Sequence, residues 1–129
     1  MKRFTGFAVA VLVVLLFPGC RSSSTGDEIE ITSAPIHEVN VNIAESAPPQ
    51  VIVYIKGGLP DGCTKFHELK TERRGNTFKI TVTNERPRDA VCTQIYGYFE
   101  KNENLGTDFV PGENYVVNVN DKTTGFIVP

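Results

Sequence analysis

The sequence predicts an all-β domain, an immunoglobulin-like antiparallel β-sandwich of about seven strands that follows a cleaved signal peptide. Three features predict it. Apolar and polar residues alternate with period two in one segment after another; Gly, Pro, Asn and Asp cluster between those segments at intervals of about 8–12 residues; and no stretch past position 34 carries a capped helical stripe.

The segments follow in order. Ile36 to Ile43 sets Val39, Val41 and Ile43 on one face and Glu38, Asn40 and Asn42 on the other, as a half-buried strand requires. Ala47-Pro48-Pro49 ends it, because two prolines remove ladder donors. Val51 to Ile55 is apolar on both faces and predicts a central or doubly covered strand, and Gly57 to Gly62 reads as a turn. Cys63 to about Thr71 is polar and mixed, yet it leads into Arg74-Gly75-Asn76, a hairpin signal. Beyond that turn, Thr77 to Thr83 places Phe78, Ile80 and Val82 inward. Glu85 to Asp89 is expected as a loop, Val91 to Phe99 as a strand, and Leu105 to Phe109 as a connecting piece or edge strand. Pro111 to Asn114 turns into Tyr115–Val119, and Asn120 to Thr123 closes a last hairpin into Thr124–Val128. This punctuation points to a sandwich of immunoglobulin-like type, although a chain without Trp lacks the core tryptophan of antibody domains.

The N-terminus sets the expected compartment. Met1-Lys2-Arg3 is a short positive start, and Phe7 to Phe17 runs without a polar residue, the order of an export signal. So short a run spans only about half of a hydrocarbon core ~30 Å thick at ~1.5 Å per residue, which favours cleavage over a permanent membrane helix. Leu16-Phe17-Pro18-Gly19-Cys20 resembles the lipobox of bacterial lipoprotein precursors, with Gly19 in place and with Phe17 and Pro18 departing from the usual aliphatic and small residues. The resemblance implies that residues 1–19 are a lipoprotein signal peptide and that Cys20 carries the lipid. The alternatives are a signal peptide with an incidental cysteine and an uncleaved anchor. Residues 20–34 are then the lipidated Cys and a flexible polar spacer, and 35–129 the sandwich domain. More than one acyl chain suffices for stable anchoring, so the mature chain is expected to be extracytoplasmic and tethered to a membrane.

Charge and cysteines narrow the function classes. With Lys2 and Arg3 in the signal, 13 basic side chains fall to 11 against 15 acidic, a net of −4. That balance argues against nucleic acid as a partner, since phosphate recognition needs a concentrated positive patch. Lys70, Glu72, Arg73 and Arg74 are the densest charges, of mixed sign, and read as a solvated hairpin end. Of three cysteines, Cys20 goes to the lipid, and Cys63 and Cys92 remain as an even pair expected to form a disulfide in an oxidising compartment. A free, reactive Cys63 is the alternative.

A second resemblance rests on Lys56-Gly57-Gly58-Leu59-Pro60-Asp61-Gly62-Cys63-Thr64, Gly75-Asn76-Thr77, Arg86 to Thr93 and Pro111 to Asn120. These segments resemble a group of small bacterial secreted or lipid-anchored domains of unknown function, over nearly all of residues 36–128. It implies an immunoglobulin-like fold and a Cys pair, and no activity.

No catalytic constellation stands out, and no cofactor or metal is expected. Cys63 and His67, four residues apart in an extended chain, lie about 13 Å apart at ~3.3 Å per residue, too far for a nucleophile–base pair. His37 and His67 have no ligand spacing, and Asp61, Glu85 and Asp89 lack the regular oxygen spacing of a calcium loop, so turn capping by Asp61 and Asp89 is the expectation. Thr123-Thr124-Gly125-Phe126 and Arg86-Pro87 are similar to pieces of chagasin-like cysteine-protease inhibitors, in the opposite order along the chain. Tyr54, Tyr96, Tyr98 and Phe99 form a candidate aromatic strip, with Tyr96 and Tyr98 on one strand face as the candidate binding surface. The sequence thus points to a lipid-anchored, non-enzymatic cell-envelope domain that acts by binding or structural association, with an envelope protein as the expected partner. The alternative is a chagasin-like inhibitor of secreted proteases or an accessory subunit of an exported hydrolase.

Overall fold

A computed structural model describes Gly19 and residues 28–129. The expected signal peptide up to Pro18, and Cys20 with the spacer to Asp27, lie outside the described residues. Every element is a strand: β1 (Ile29–Ser33), β2 (Ile36–Ala44), β3 (Gln50–Leu59), β4 (Lys65–Arg74), β5 (Thr77–Pro87), β6 (Gly97–Gly106), β7 (Asn114–Val119) and β8 (Lys122–Ile127).

They form two sheets, one of five strands and one of three in the order β2-β3-β6. In the larger sheet β5 is the axis. Strand β4 pairs along one edge from Lys65↔Glu85 to Arg74↔Thr77, while the other edge is shared: β7 takes Thr77–Ile80 and β1 takes Thr83–Pro87. All pairings are antiparallel except β5–β7, which is parallel. The expected sandwich is therefore present with eight strands and one parallel contact.

Period-two alternation built the core. Phe78, Ile80 and Val82 of β5, Tyr115, Val117 and Val119 of β7, and Val51, Val53 and Ile55 of β3 are all buried, because each strand turns one face to the opposite sheet. One end is closed by an aromatic group. Tyr115 stacks on Phe126 at 5.4 Å, Phe109 meets Tyr115 edge-on at 5.0 Å, and the Arg73 guanidinium lies 4.9 Å over Phe78. The charged tip expected to be merely solvated thus contributes a lid to the core.

Besides shifts of a few residues at β4 and β8, four larger departures separate the strands from those the sequence predicts. Residues 29–33, assigned to the spacer, form β1; Ile29 and Ile31 stay about half exposed, so their alternation reflects an edge strand and not a core face. Gly57, Gly58 and Leu59, expected in a turn, continue β3, because each glycine faces an aromatic ring that a Cβ would strike: Phe99 at Gly57 and Tyr96 at Gly58. Strand β5 runs on to Pro87, where a loop was expected from Glu85. Residues 91–96 are irregular, and the strand expected there begins at Gly97 and runs to Gly106, taking in the start of the expected Leu105–Phe109 piece.

Candidate functional site

The end of the sandwich where β3 and β5 finish and β2 and β6 begin carries the candidate surface. It is built on Gly58, whose backbone is fixed on two sides. Its N–H donates to Pro35 O at 2.8 Å, and its carbonyl accepts from the buried Asn84 Nδ2 at 2.9 Å, a tie from the larger sheet to the smaller. Over the bare Cα lie His37 and Tyr96, hydrogen-bonded Nε2 to Oη at 2.6 Å. A β-bulge between Ile36 and Glu38 frees His37 from the regular alternation, which is how bulges re-aim a side chain. Tyr98 completes the group, its ring 5.3 Å from both His37 and Tyr96, with Lys56 Nζ 4.6 Å over its face.

Tyr96 precedes its strand, so the two tyrosines do not share a strand face as expected. They meet nevertheless. Both rings are exposed, 43% and 56%, so they are not core residues. The rest of the strip divides: Phe99 turns inward onto Phe66, and Tyr54 lies farther along the sheet, opposite Asn102. There its phenol donates to Glu100, and that hydrogen bond, with desolvation and the carboxylate charge, pushes its pKa up to about 12.

Beside this cluster the segment 88–96 is braced although it has no regular structure. Cys63 and Cys92 form the expected disulfide, a brace between two loop positions flanking β4 and β6 rather than between strands. Gly62 N–H donates to Thr93 O at 2.9 Å, and Arg88 N–H donates to Glu28 O at 2.8 Å. Arg86 is the hub: Nε meets Asp61 Oδ2 at 2.7 Å, Nη1 donates to the carbonyls of Pro87 and Arg88, and Nη2 donates to Ala90 O at 3.2 Å. Asp61 Oδ1 in turn accepts from the N–H of Cys63 and Thr64 and from the Thr64 hydroxyl, the expected turn cap. Neither Arg86 nor Gly62 announced this role in the sequence, because the distant partners, the Asp61 carboxylate for Arg86 and the Thr93 carbonyl for Gly62, are brought near only by the fold.

Desolvation alone would raise the Asp61 pKa, but the hydrogen bonds from Arg86, Thr64 and Cys63 and the Arg86 charge together outweigh it and hold the carboxyl below its ordinary 3.8. A depressed folded-state pKa means the unfolded chain binds more protons as acid is added. The contribution of Asp61 to stability is therefore complete above about pH 3.8 and is lost as pH falls through the folded value. The melting temperature of Asp61→Asn is expected to be lower than that of the parent at neutral pH and to change less between neutral pH and pH 3. Parallel curves for the two proteins would show that the Asp61 carboxylate is not the acid-sensitive group.

Among the described residues, one group of three potential metal ligands occurs, Asp61, Cys63 and Cys92, and its two sulfurs are bonded to each other. Glu85 and Asp89 do not join it. His67 bonds Thr83 Oγ1 at 3.0 Å and is not paired with Cys63. Thr123 to Phe126, the segment similar to an inhibitor loop, lies within β8 and is paired to β7, and Arg86 is consumed by its carbonyl and carboxylate partners.

The architecture is that of a small disulfide-braced β-sandwich domain carrying an aromatic–imidazole cluster at one end. The chain belongs to the ORF11 beta-sandwich domain family, whose model matches residues 53–128. It is similar to an uncharacterised 10.2 kDa protein in the HgiCIIM 5′ region of Herpetosiphon aurantiacus, at 48% identity over 86 residues that cover 67% of this chain and 90% of that protein. A second relative, in the HgiBIM 5′ region of the same organism, is 51% identical over 76 residues, 59% of this chain and 92% of that one. No solved structure matches.

Proposed function

We propose that this chain is an exported, non-enzymatic domain, held to the cell envelope by a lipid on Cys20, that acts by association through the end of the sandwich bearing Tyr96 and Tyr98. One observation carries the reading. His37, Tyr96 and Tyr98 are exposed yet mutually fixed on the bare backbone of Gly58, so their contact area is presented with little rotamer freedom left to lose on binding. Lys56 over Tyr98 adds a cation beside two phenols, a mixed apolar and polar surface of the kind found at recognition sites. The charged, apolar and small-residue order ahead of Cys20 supports export, and the Cys63–Cys92 bond suits an oxidising compartment.

Two measurements test the proposal. Labelled palmitate is expected on the full-length chain and not on Cys20→Ser. Tyrosine iodination is expected to mark Tyr96 and Tyr98 freely in the soluble chain from residue 21 onward, which holds the whole of both sheets, and several-fold less in intact envelopes. Equal marking in the two settings would remove the association surface, and absent palmitate the anchor. Tyr96→Ser/Tyr98→Ser is expected to stay folded, losing no more than about 1 kcal/mol, because both rings are already solvated.

A further inference from the structure

We infer that the partner met by this end of the sandwich is the bilayer itself, with Val91 and Ile95 seated at the boundary between headgroups and acyl chains. The inference rests on the lipid anchor proposed above. Eight large apolar side chains stand exposed among the described residues, and six of them, Ile29, Ile31, Val91, Ile95, Tyr96 and Tyr98, come to this end. The topology gathers them, since Ile29 pairs with Pro87, Ile31 with Glu85, and Gly97 opens β6 opposite Leu59. Val110 and Ile127 are at the opposite end, beside Tyr115 and Asn114.

Val91 and Ile95 are the extreme cases, 102% and 71% exposed, one on each side of Cys92. Mobility does not account for so open a position, because the segment that carries them is tied down by the disulfide, by Arg86 and by Gly62. The structure thus holds two branched aliphatic groups outward on a stiff support. The nine residues 88–96 contain one basic and one acidic side chain, so their tip brings no net charge toward a membrane. Arg88 pairs with Glu28 at 3.0 Å. Tyr96 and Tyr98 flank the tip with a polar hydroxyl on an apolar ring, the residue type favoured at membrane interfaces.

The point of chain entry selects lipid over a protein partner. Glu28 is joined to Arg88 at the root of this segment, and Cys20 precedes it by eight residues, a reach of at most about 28 Å fully extended at ~3.5 Å each. A lipid on Cys20 therefore holds the domain by the same end that displays Val91 and Ile95.

The absence of Trp from the chain makes a clean test. Ile95→Trp and, as a control at the far end, Val110→Trp are made separately in the full-length lipoprotein, processed by the cell, and reconstituted in vesicles of equal parts phosphatidylcholine and phosphatidylglycerol. On floated vesicles the indole emission of Ile95→Trp is expected to shift to the blue and to be quenched several-fold more by acyl-brominated lipid than that of Val110→Trp. Adding Val91→Glu to Ile95→Trp is expected to bring quenching down to the control level while thermal melting is unchanged. A protein that floats with the vesicles while the two indole reporters behave alike overturns the bilayer contact and leaves the surface to a protein partner, with the anchor intact. A protein that fails to float overturns the anchor, and this inference with it.

Discussion

Reduction of the Cys63–Cys92 bond, or its replacement in Cys63→Ala/Cys92→Ala, is expected to lower stability by about 3.5 kcal/mol, read as a shift of the urea midpoint. The bond closes a loop across a sequence separation of 29, and the chain-entropy cost of leaving that loop open in the unfolded state gives the magnitude. Domains of this size have a total stability of about 5–15 kcal/mol, so the reduced protein should be marginally stable. The closed loop contains all of β4 and β5, and hence the hairpin that forms the axis of the larger sheet. The double variant should be insensitive to reductant. A stability loss of less than about 1 kcal/mol on reduction would show that the Arg86 and Gly62 contacts hold the two segments together unaided.

The second large effect is expected at Asn120. Strands β7 and β1 share one edge of β5 but do not meet: β7 ends opposite Ile80 and β1 pairs only from Thr83 onward. The Asn120 side chain fills the gap. Its Oδ1 accepts the Val82 N–H at 2.9 Å, the bond that neither strand supplies, and its Nδ2 donates to Val82 O at 2.9 Å, beside the bond from Ala34 N–H, and to Ala34 O at 2.8 Å. The residue also sits at φ +50° in the β7–β8 turn, a region Asn tolerates better than most. Asn120→Ala removes the partner of a backbone N–H in the sheet interior and adds strain, an expected loss of about 2–4 kcal/mol. Asn120→Gly relieves the strain and leaves the gap, so it should fall between Ala and the parent in thermal melting. Should Gly restore parental stability, the turn conformation and not the side-chain bridge would be the reason for Asn at this position.

How far the fold could be read from the residues depended on burial. Strands β2, β5 and β7 alternate because one face meets the other sheet, and Val39, Phe78, Ile80, Tyr115 and Val117 took the positions their spacing indicated. The hairpins at Gly75-Asn76 and at Asn120 were legible in position because Gly and Asn tolerate positive φ, although the second turn is two residues and not the four expected to Thr123. Strand β1 was not, since Glu28-Ile29-Glu30-Ile31 alternates over too few residues to stand out beside the polar spacer, and Ile29 and Ile31 stay about half exposed on an edge strand. Gly57 and Gly58 misled for a physical reason: the residue type that permits a turn is also the one that lets a ring lie on a strand. At the site, Tyr96 and Tyr98 were legible as a pair, whereas His37 was not, because the bulge that turns it toward them exists only once β2 and β3 are in register. Val91 and Ile95 read as strand residues, since nothing local tells an apolar residue that its neighbours will be bonded elsewhere.

The parallel contact of β5 with β7 has a consequence for how the chain reaches this state. Tyr115, Val117, Val119 and Val128 supply much of the interior, and the strand that carries the first three must slot in against residues made well before it, Val116 beside Thr77 and Val119 beside Ile80. A chain ending at Gly112 would own both halves of β5's hairpin and the whole smaller sheet, yet its larger sheet would lack the piece that seals it. Closure waits for the C-terminal stretch of the chain, so chains cut short before Glu113 should be found as protease-sensitive fragments and not as a smaller stable domain.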